Sequence, residues 1–134
     1  MGADSVFWDD LAEDLEDPEF LRAFLLESVR ITTVDSIINE LDEAREAAHL
    51  SKAALARAVS TEPATVRRLL STTGSNPTLG TVSELAAALG FRLTLEPLDD
   101  RHGSALASTL VAGEVQDLPA LHAAINEFGR IGVK

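Results

Sequence analysis

Apolar side chains recur at helical spacing through most of this chain. In PEFLRAFLLESVRI, Phe20, Leu21, Phe24, Leu25 and Val29 fall at i, i+1, i+4, i+5 and i+9, the stripe of an amphipathic helix. Asp17 is placed as its N-cap, Pro18 as its first residue and Glu19 in its first turn. The β-branched run Ile31-Thr32-Thr33-Val34 predicts a break. A second helix, over about 35–48, puts Ile37, Ile38, Leu41, Ala44 and Ala48 on one face and Glu40, Asp42, Glu43 and Glu46 on the other.

Shorter elements follow. Ser51 is a good N-cap for a helix over 52–58 with Leu55 and Ala56 inward. A tight turn at Val59-Ser60-Thr61 leads to a helix over 62–70 with Pro63 in its first turn. STTGSNP (71–77) is a turn by composition. Thr78 caps a helix running to Leu89, with Leu79, Val82, Leu85, Ala86 and Leu89 in phase and Gly90 at its C′ position. Residues 91–96, FRLTLE, alternate apolar and polar and predict a strand ended by Pro97. After a linker over 99–104, the tail predicts a helix over about 104–112. Another starts at Asp117, contains Pro119 and buries Leu118, Leu121, Ile125 and Phe128. The expected fold is all-α: five helices, one short strand and a helical extension. Its segments are an acidic one (1–34), a helical domain (35–98) and a linker with tail (99–134).

Composition narrows the chemistry. The 134 residues are 46% apolar but only 4% aromatic, which suits short, closely packed helices. Cysteine is absent, excluding disulfide scaffolds, Cys-type zinc fingers and thiol nucleophiles. The acidic start is unlike a secretory signal, and no apolar run approaches the roughly 18 residues of a membrane span; a cytoplasmic protein is expected. His49, His102 and His122 have no metal-ligand spacing and read as surface or capping residues. No phosphate-binding glycine loop, nucleophile elbow or acid–base pair is visible. No enzyme, cofactor or metal is expected.

Charge is unevenly placed. The formal net charge is −11, and residues 1–48 by themselves carry −11; residues 49–98 carry +2 and residues 99–134 carry −2. The only basic stretch is the middle one, where phosphate contacts would need it.

That stretch also has the spacing of a helix-turn-helix. The motif needs a small residue where two short helices touch, apolar residues on their facing sides and a tight turn between them. Ala56 is the small residue, Leu55 its neighbour, Val59 closes the first helix, and Val66 and Leu69 face it from the second. The outward face of the second helix offers Glu62, Ala64, Thr65, Arg67 and Arg68. Arginine reads guanine bidentately, threonine touches a base edge or phosphate, and alanine meets the thymine methyl. Ser51 and Lys52 are placed for phosphate, Arg68 is favoured for the groove, and Asn76 is a further candidate that also suits a turn.

At this point the chain resembles a known family. The stretch LSKAALARAVSTEPATVRRLLSTTGSNPTLGTVSELAAALGFRLTLEPL is similar to the Xre/Cro-type, lambda-repressor-like helix-turn-helix, over about residues 35–98. Within it the likeness is to antitoxins of the HigA and addiction-module-antidote type. Its most telling part is the GSNPTL turn before the next helix; DPEFLRAFLLES resembles the leading helix of those antitoxins. Ser60 stands where a turn glycine is usual, Thr61 where an apolar residue is usual and Lys52 where a glutamine often contacts phosphate. The resemblance implies an antitoxin that neutralises a RelE/HigB-like ribonuclease and represses its own operon.

The expected partners are double-stranded operator DNA, a basic toxin protein and a second copy of the chain. A dimer would read two half-sites about 34 Å apart. The strand and the tail helices are the candidate dimer surfaces. The acidic N-terminal segment, with Phe7, Trp8, Phe20 and Phe24, is the candidate toxin surface. The alternative is a stand-alone Xre-type repressor whose tail serves oligomerisation or effector sensing; a protein-interaction module that kept the fold is a third reading.

Overall fold

The computed structural model describes residues 13, 14, 16–71 and 76–129. Six helices and no strand occur among them: α1 (Pro18–Ala47), α2 (Lys52–Ala58), α3 (Pro63–Ser71), α4 (Leu79–Ala88), α5 (Asp100–Ala112) and α6 (Leu118–Glu127). They divide into two compact units. One joins residues up to Arg30 with Pro97–Gly129, and the other contains Ile31–Glu96. No helix among the described residues is long and apolar enough to cross a membrane.

Helix α1 runs for 30 residues through both units, without the predicted break at Ile31–Val34. β-Branched residues disfavour a helix by only a few tenths of a kcal/mol each. No Gly or Pro interrupts the run, whereas a break would orphan backbone groups at two new helix ends. Val34, Ile37, Ile38 and Leu41 all pack into the core of the second unit, and this packing outweighs propensity. The cost surfaces at Thr33, whose buried hydroxyl finds no hydrogen-bond partner among the described residues. The five expected helices of the 18–90 region are therefore four.

The second unit closes on Leu55, Ala56, Val66, Leu69, Leu70, Val82, Leu85 and Ala86, together with Ile38 and Leu41 from α1. Three of its helices end in the same way. In a Schellman ending, the C″ amide bonds back to the C3 carbonyl and the C′ residue turns left-handed. After α1 the bonds are Leu50 N to Arg45 O and His49 N to Glu46 O, with His49 at φ +58°. After α2 they are Thr61 N to Ala56 O and Ser60 N to Arg57 O, with Ser60 at φ +56°. After α4 they are Phe91 N to Ala86 O and Gly90 N to Ala87 O, with Gly90 at φ +87°. Only α4 has the glycine such an ending favours. The left-handed region costs a non-glycine residue about 1–2 kcal/mol, part of which is offset by glycine's greater unfolded-state entropy. Ser60→Gly is therefore expected to raise stability by about 0.5–1 kcal/mol in urea unfolding; an unchanged or lower midpoint would count against the strain.

Two apolar expectations fail in this unit. Residues 91–96 form no strand, because a strand needs a ladder partner and the described residues supply none. Leu79, expected inward, is 76% exposed: it opens α4 beside exposed Thr78 and Gly80, where the first turn extends past the packed layer.

The first unit buries Leu21 and Leu25 of α1 against Leu106 of α5 and Leu121 and Ala124 of α6. Helix α5 begins at Asp100, inside the predicted linker, because the Asp99 carboxylate caps the amides of Arg101 and His102. It ends at Gly113, with φ +78°. A Cβ there would stand 2.9 Å from Arg22 Nη2 and 3.0 Å from Pro18 Cβ. Arg22 is close because its guanidinium donates to the carbonyls of Leu110 and Val111, satisfying the end of α5. The ends of α5 and α6 are also tied: His102 pairs with Glu127, and Arg101 Nη2 meets Asp117 Oδ2 at 2.9 Å.

Asp117 is the N-cap of α6, as expected from the sequence, accepting from Ala120 N. That backbone bond, and then the Arg101 side chain, hold its carboxyl below the usual carboxylate range. A depressed folded-state pKa contributes stability above the unfolded value, about 3.9, that is lost as pH falls through the folded one. Asp117→Asn keeps a capping oxygen but cannot titrate. Its melting temperature is thus expected to fall less than the wild type's below about pH 4 in a series of thermal melts; parallel curves would remove Asp117 from that dependence.

Candidate nucleic-acid interface

The candidate interface is built on α2 and α3. Ser51 caps α2, its hydroxyl accepting from Ala54 N at 3.0 Å. Leu55 and Ala56 are fully buried, and having only a methyl group at Ala56 lets α3 approach closely. Four residues, 59–62, then reverse the chain. Val59 is the C-cap of α2 and packs, half-buried, on the core. Ser60 takes the left-handed turn itself, in the place where glycine is usual. Exposed Thr61 contributes its amide to the turn rather than an apolar side chain.

Helix α3 is sharply two-faced. Val66, Leu69 and Leu70 are buried. Ala64, Arg67, Arg68 and Ser71, at i, i+3, i+4 and i+7, are exposed along the opposite face. Glu62 is exposed just before the helix, and Thr65 is half-buried beside the exposed row. Within residues 51–71 the cationic side chains are Lys52, Arg57, Arg67 and Arg68, against the single carboxylate of Glu62. Pro63 stands at the first helical position, where its missing N–H costs nothing.

The predicted contact residues therefore fall into groups. Ala64, Arg67 and Arg68 share one solvent face of α3, with Glu62 and Thr65 at its border. Ser51 serves α2 as its cap. Lys52 Nζ bonds to Ser71 Oγ at 2.9 Å, tying the start of α2 to the end of α3. Ser71 was not singled out from the sequence, since a pairing across 19 positions leaves no local signature. Asn76 is exposed just before Thr78, whose hydroxyl accepts from Thr81 N to cap α4.

Residues 39–98 match the family model of a helix-turn-helix domain. No curated protein and no solved structure matches the chain. The matched segment takes in the end of α1, all of α2–α4 and the residues that follow them. The match covers less than half of the chain and does not bear on an antitoxin role.

Of the residues expected at a toxin surface, Phe7 and Trp8 lie outside the described residues. Phe20 is 41% exposed, whereas Phe24 packs against the core of the first unit. Their rings stack with centroids 6.3 Å apart, so part of this aromatic pair is committed to the unit's own interior.

Proposed function

We propose that this protein is a DNA-binding transcription regulator that inserts α3 into the major groove of operator DNA and acts as a homodimer. The observation that carries the reading is the two-faced α3. Its buried side fixes the helix against α2, leaving Ala64, Arg67 and Arg68 together on a free face of the size a groove accepts. The domain match supports it, as does the net positive charge of residues 49–98 between two segments of net negative charge. In this reading the protein works in the cytoplasm and needs no cofactor or catalytic residue.

The finer reading is an antitoxin that represses its own operon and neutralises a RelE/HigB-like ribonuclease. It is supported by the resemblance of residues 35–98 and by the −11 carried on residues 1–48, which suits a basic partner. The alternative, a stand-alone repressor, is favoured by a specific feature: the first unit has its own apolar core, built partly from Phe24.

Two experiments test these readings. Fluorescence anisotropy with duplexes tiled across the region upstream of the gene is expected to find one tight site, with log K falling linearly in log salt. Equal, weak binding to every duplex would overturn the regulator. Co-expression with the adjacent reading frame is expected to yield a stable complex with a basic protein if the antitoxin reading holds; a separate, unbound product favours the stand-alone repressor.

A further inference from the structure

Residues 91–96 are the most exposed apolar segment of the second unit. Leu95 is 99% exposed, and Phe91 and Leu93 are also open to solvent. Phe91 N is used by the Schellman ending of α4, but the peptide groups of residues 92–96 have no hydrogen-bond partner among the described residues. Such a run of unpaired N–H and C=O groups is a template for strand pairing with another chain.

The sequence of the segment fits a second copy of itself. In an antiparallel pair with its two-fold axis at Thr94, Arg92 of each copy lies opposite Glu96 of the other, and Leu93 lies opposite Leu95. Charge meets opposite charge on one face and leucine meets leucine on the other. Other registers lack this match. A one-residue slip sets apolar against polar positions. A two-residue slip separates Arg92 from Glu96. Parallel pairing in register would put arginine against arginine and glutamate against glutamate. Pro97, opposite Phe91 in the favoured register, ends the ladder at both sides.

A second feature on the same segment points the same way. Phe91, Arg92 and Leu93 border a cleft of about 100 Å³ with Ile37, Leu41 and Ala86. It is well below the roughly 300 Å³ and more of a small-molecule pocket, and suits one aliphatic side chain. The leucine brought opposite Leu93 by the favoured register is the partner copy's otherwise fully solvated Leu95.

We propose that residues 92–96 pair antiparallel with the same residues of a second copy, closing a two-fold dimer through an intermolecular two-stranded ladder. The segment becomes a strand only in that dimer, with Arg92–Glu96 ion pairs on one face and Leu95 seated at the cleft of the other protomer. This gives the homodimer proposed above its interface and rests on that reading only for its consequence on DNA; the self-association itself is read without DNA.

The test is sedimentation equilibrium of the full chain, free of DNA, at several concentrations. The wild type is expected to associate reversibly to a dimer. Arg92→Glu and Glu96→Arg each set like charges opposite one another at both symmetric positions and are expected to weaken the dimer roughly tenfold or more. The double variant R92E/E96R restores the pairing, and so does an equimolar mixture of the two single variants, which can match only as a heterodimer. Far-UV circular dichroism confirms that these exposed substitutions leave the helices intact. A wild type that stays monomeric overturns the proposal. A dimer indifferent to the single changes, or one the double variant and the mixture fail to restore, overturns it equally. None of these results bears on whether α3 binds DNA, which the anisotropy titration decides separately.

Discussion

Leu55→Ala is expected to lower the stability of the second unit by about 2–5 kcal/mol. Leu55 is fully buried between α2 and its neighbours and is among the largest side chains with no exposure. Truncation removes its transfer free energy and leaves a cavity that the surrounding helices fill only in part. With only seven residues, α2 has little independent stability and depends on this contact. Folded domains are stable by about 5–15 kcal/mol, so the variant should bind DNA poorly at 37 °C because much of it is unfolded. Hydrogen exchange of the α2–α4 amides against urea measures the loss. Leu79→Ala serves as the comparison: that leucine is mostly exposed, and its change should stay within about 0.5 kcal/mol. Equal losses at the two positions would contradict the burial pattern.

Arg68→Ala is expected to weaken operator binding by about 1–3 kcal/mol, roughly 5- to 150-fold, and to relax the base preference at one position. Its side chain is exposed on the free face of α3 and makes no hydrogen bond or ion pair among the described residues. Stability should therefore stay within about 0.5 kcal/mol of wild type, separating a reading defect from a folding one. Arg67→Ala provides the contrast. If Arg67 contacts phosphate, its loss weakens all duplexes alike and lowers the salt slope by about 1, leaving base preference unchanged. Unaltered binding by the Arg68 variant would remove that residue from the interface.

The helix pair is rigid for a local reason. One turn joins α2 to α3, and it is fixed by two backbone hydrogen bonds and a left-handed serine rather than by side-chain packing alone. Lys52 and Ser71 close the far ends of the same pair. Held at both ends, α3 presents its arginines in an orientation set in advance, which in the proposed DNA-binding role would reduce the ordering cost of binding. His49 does at the end of α1 what Ser60 does at the end of α2. Ser60 stands out in the sequence as a turn residue in a glycine's usual place, whereas nothing local marks His49, which tertiary packing rather than residue preference holds in its left-handed turn.

Much of the candidate site could be read directly. The alternation of buried and exposed positions in α3 follows from helical period, so Val66 and Leu69 inside and Arg67 and Arg68 outside were settled by spacing. The caps at Ser51, Thr78 and Asp117 and the turn at Gly90 were equally legible, since each depends on the residue's own chemistry and its immediate neighbours. The expected toxin surface is another matter: Phe7 and Trp8 lie outside the described residues, and Phe24 is partly taken up by a core formed with residues distant in sequence, among them Leu106 and Leu121.

What the sequence determined by itself is thus local: helix faces, caps, the small residue at the helix crossing and the basic middle of an acidic chain. These follow from side-chain chemistry within one or two turns. Tertiary structure decided the rest. It carried α1 through four β-branched residues, because the packing of partly buried Val34 and Ile37 and of buried Ile38 and Leu41 outweighs a small propensity cost. It also denied residues 91–96 a strand, because alternation specifies a face but only a second strand can supply the ladder.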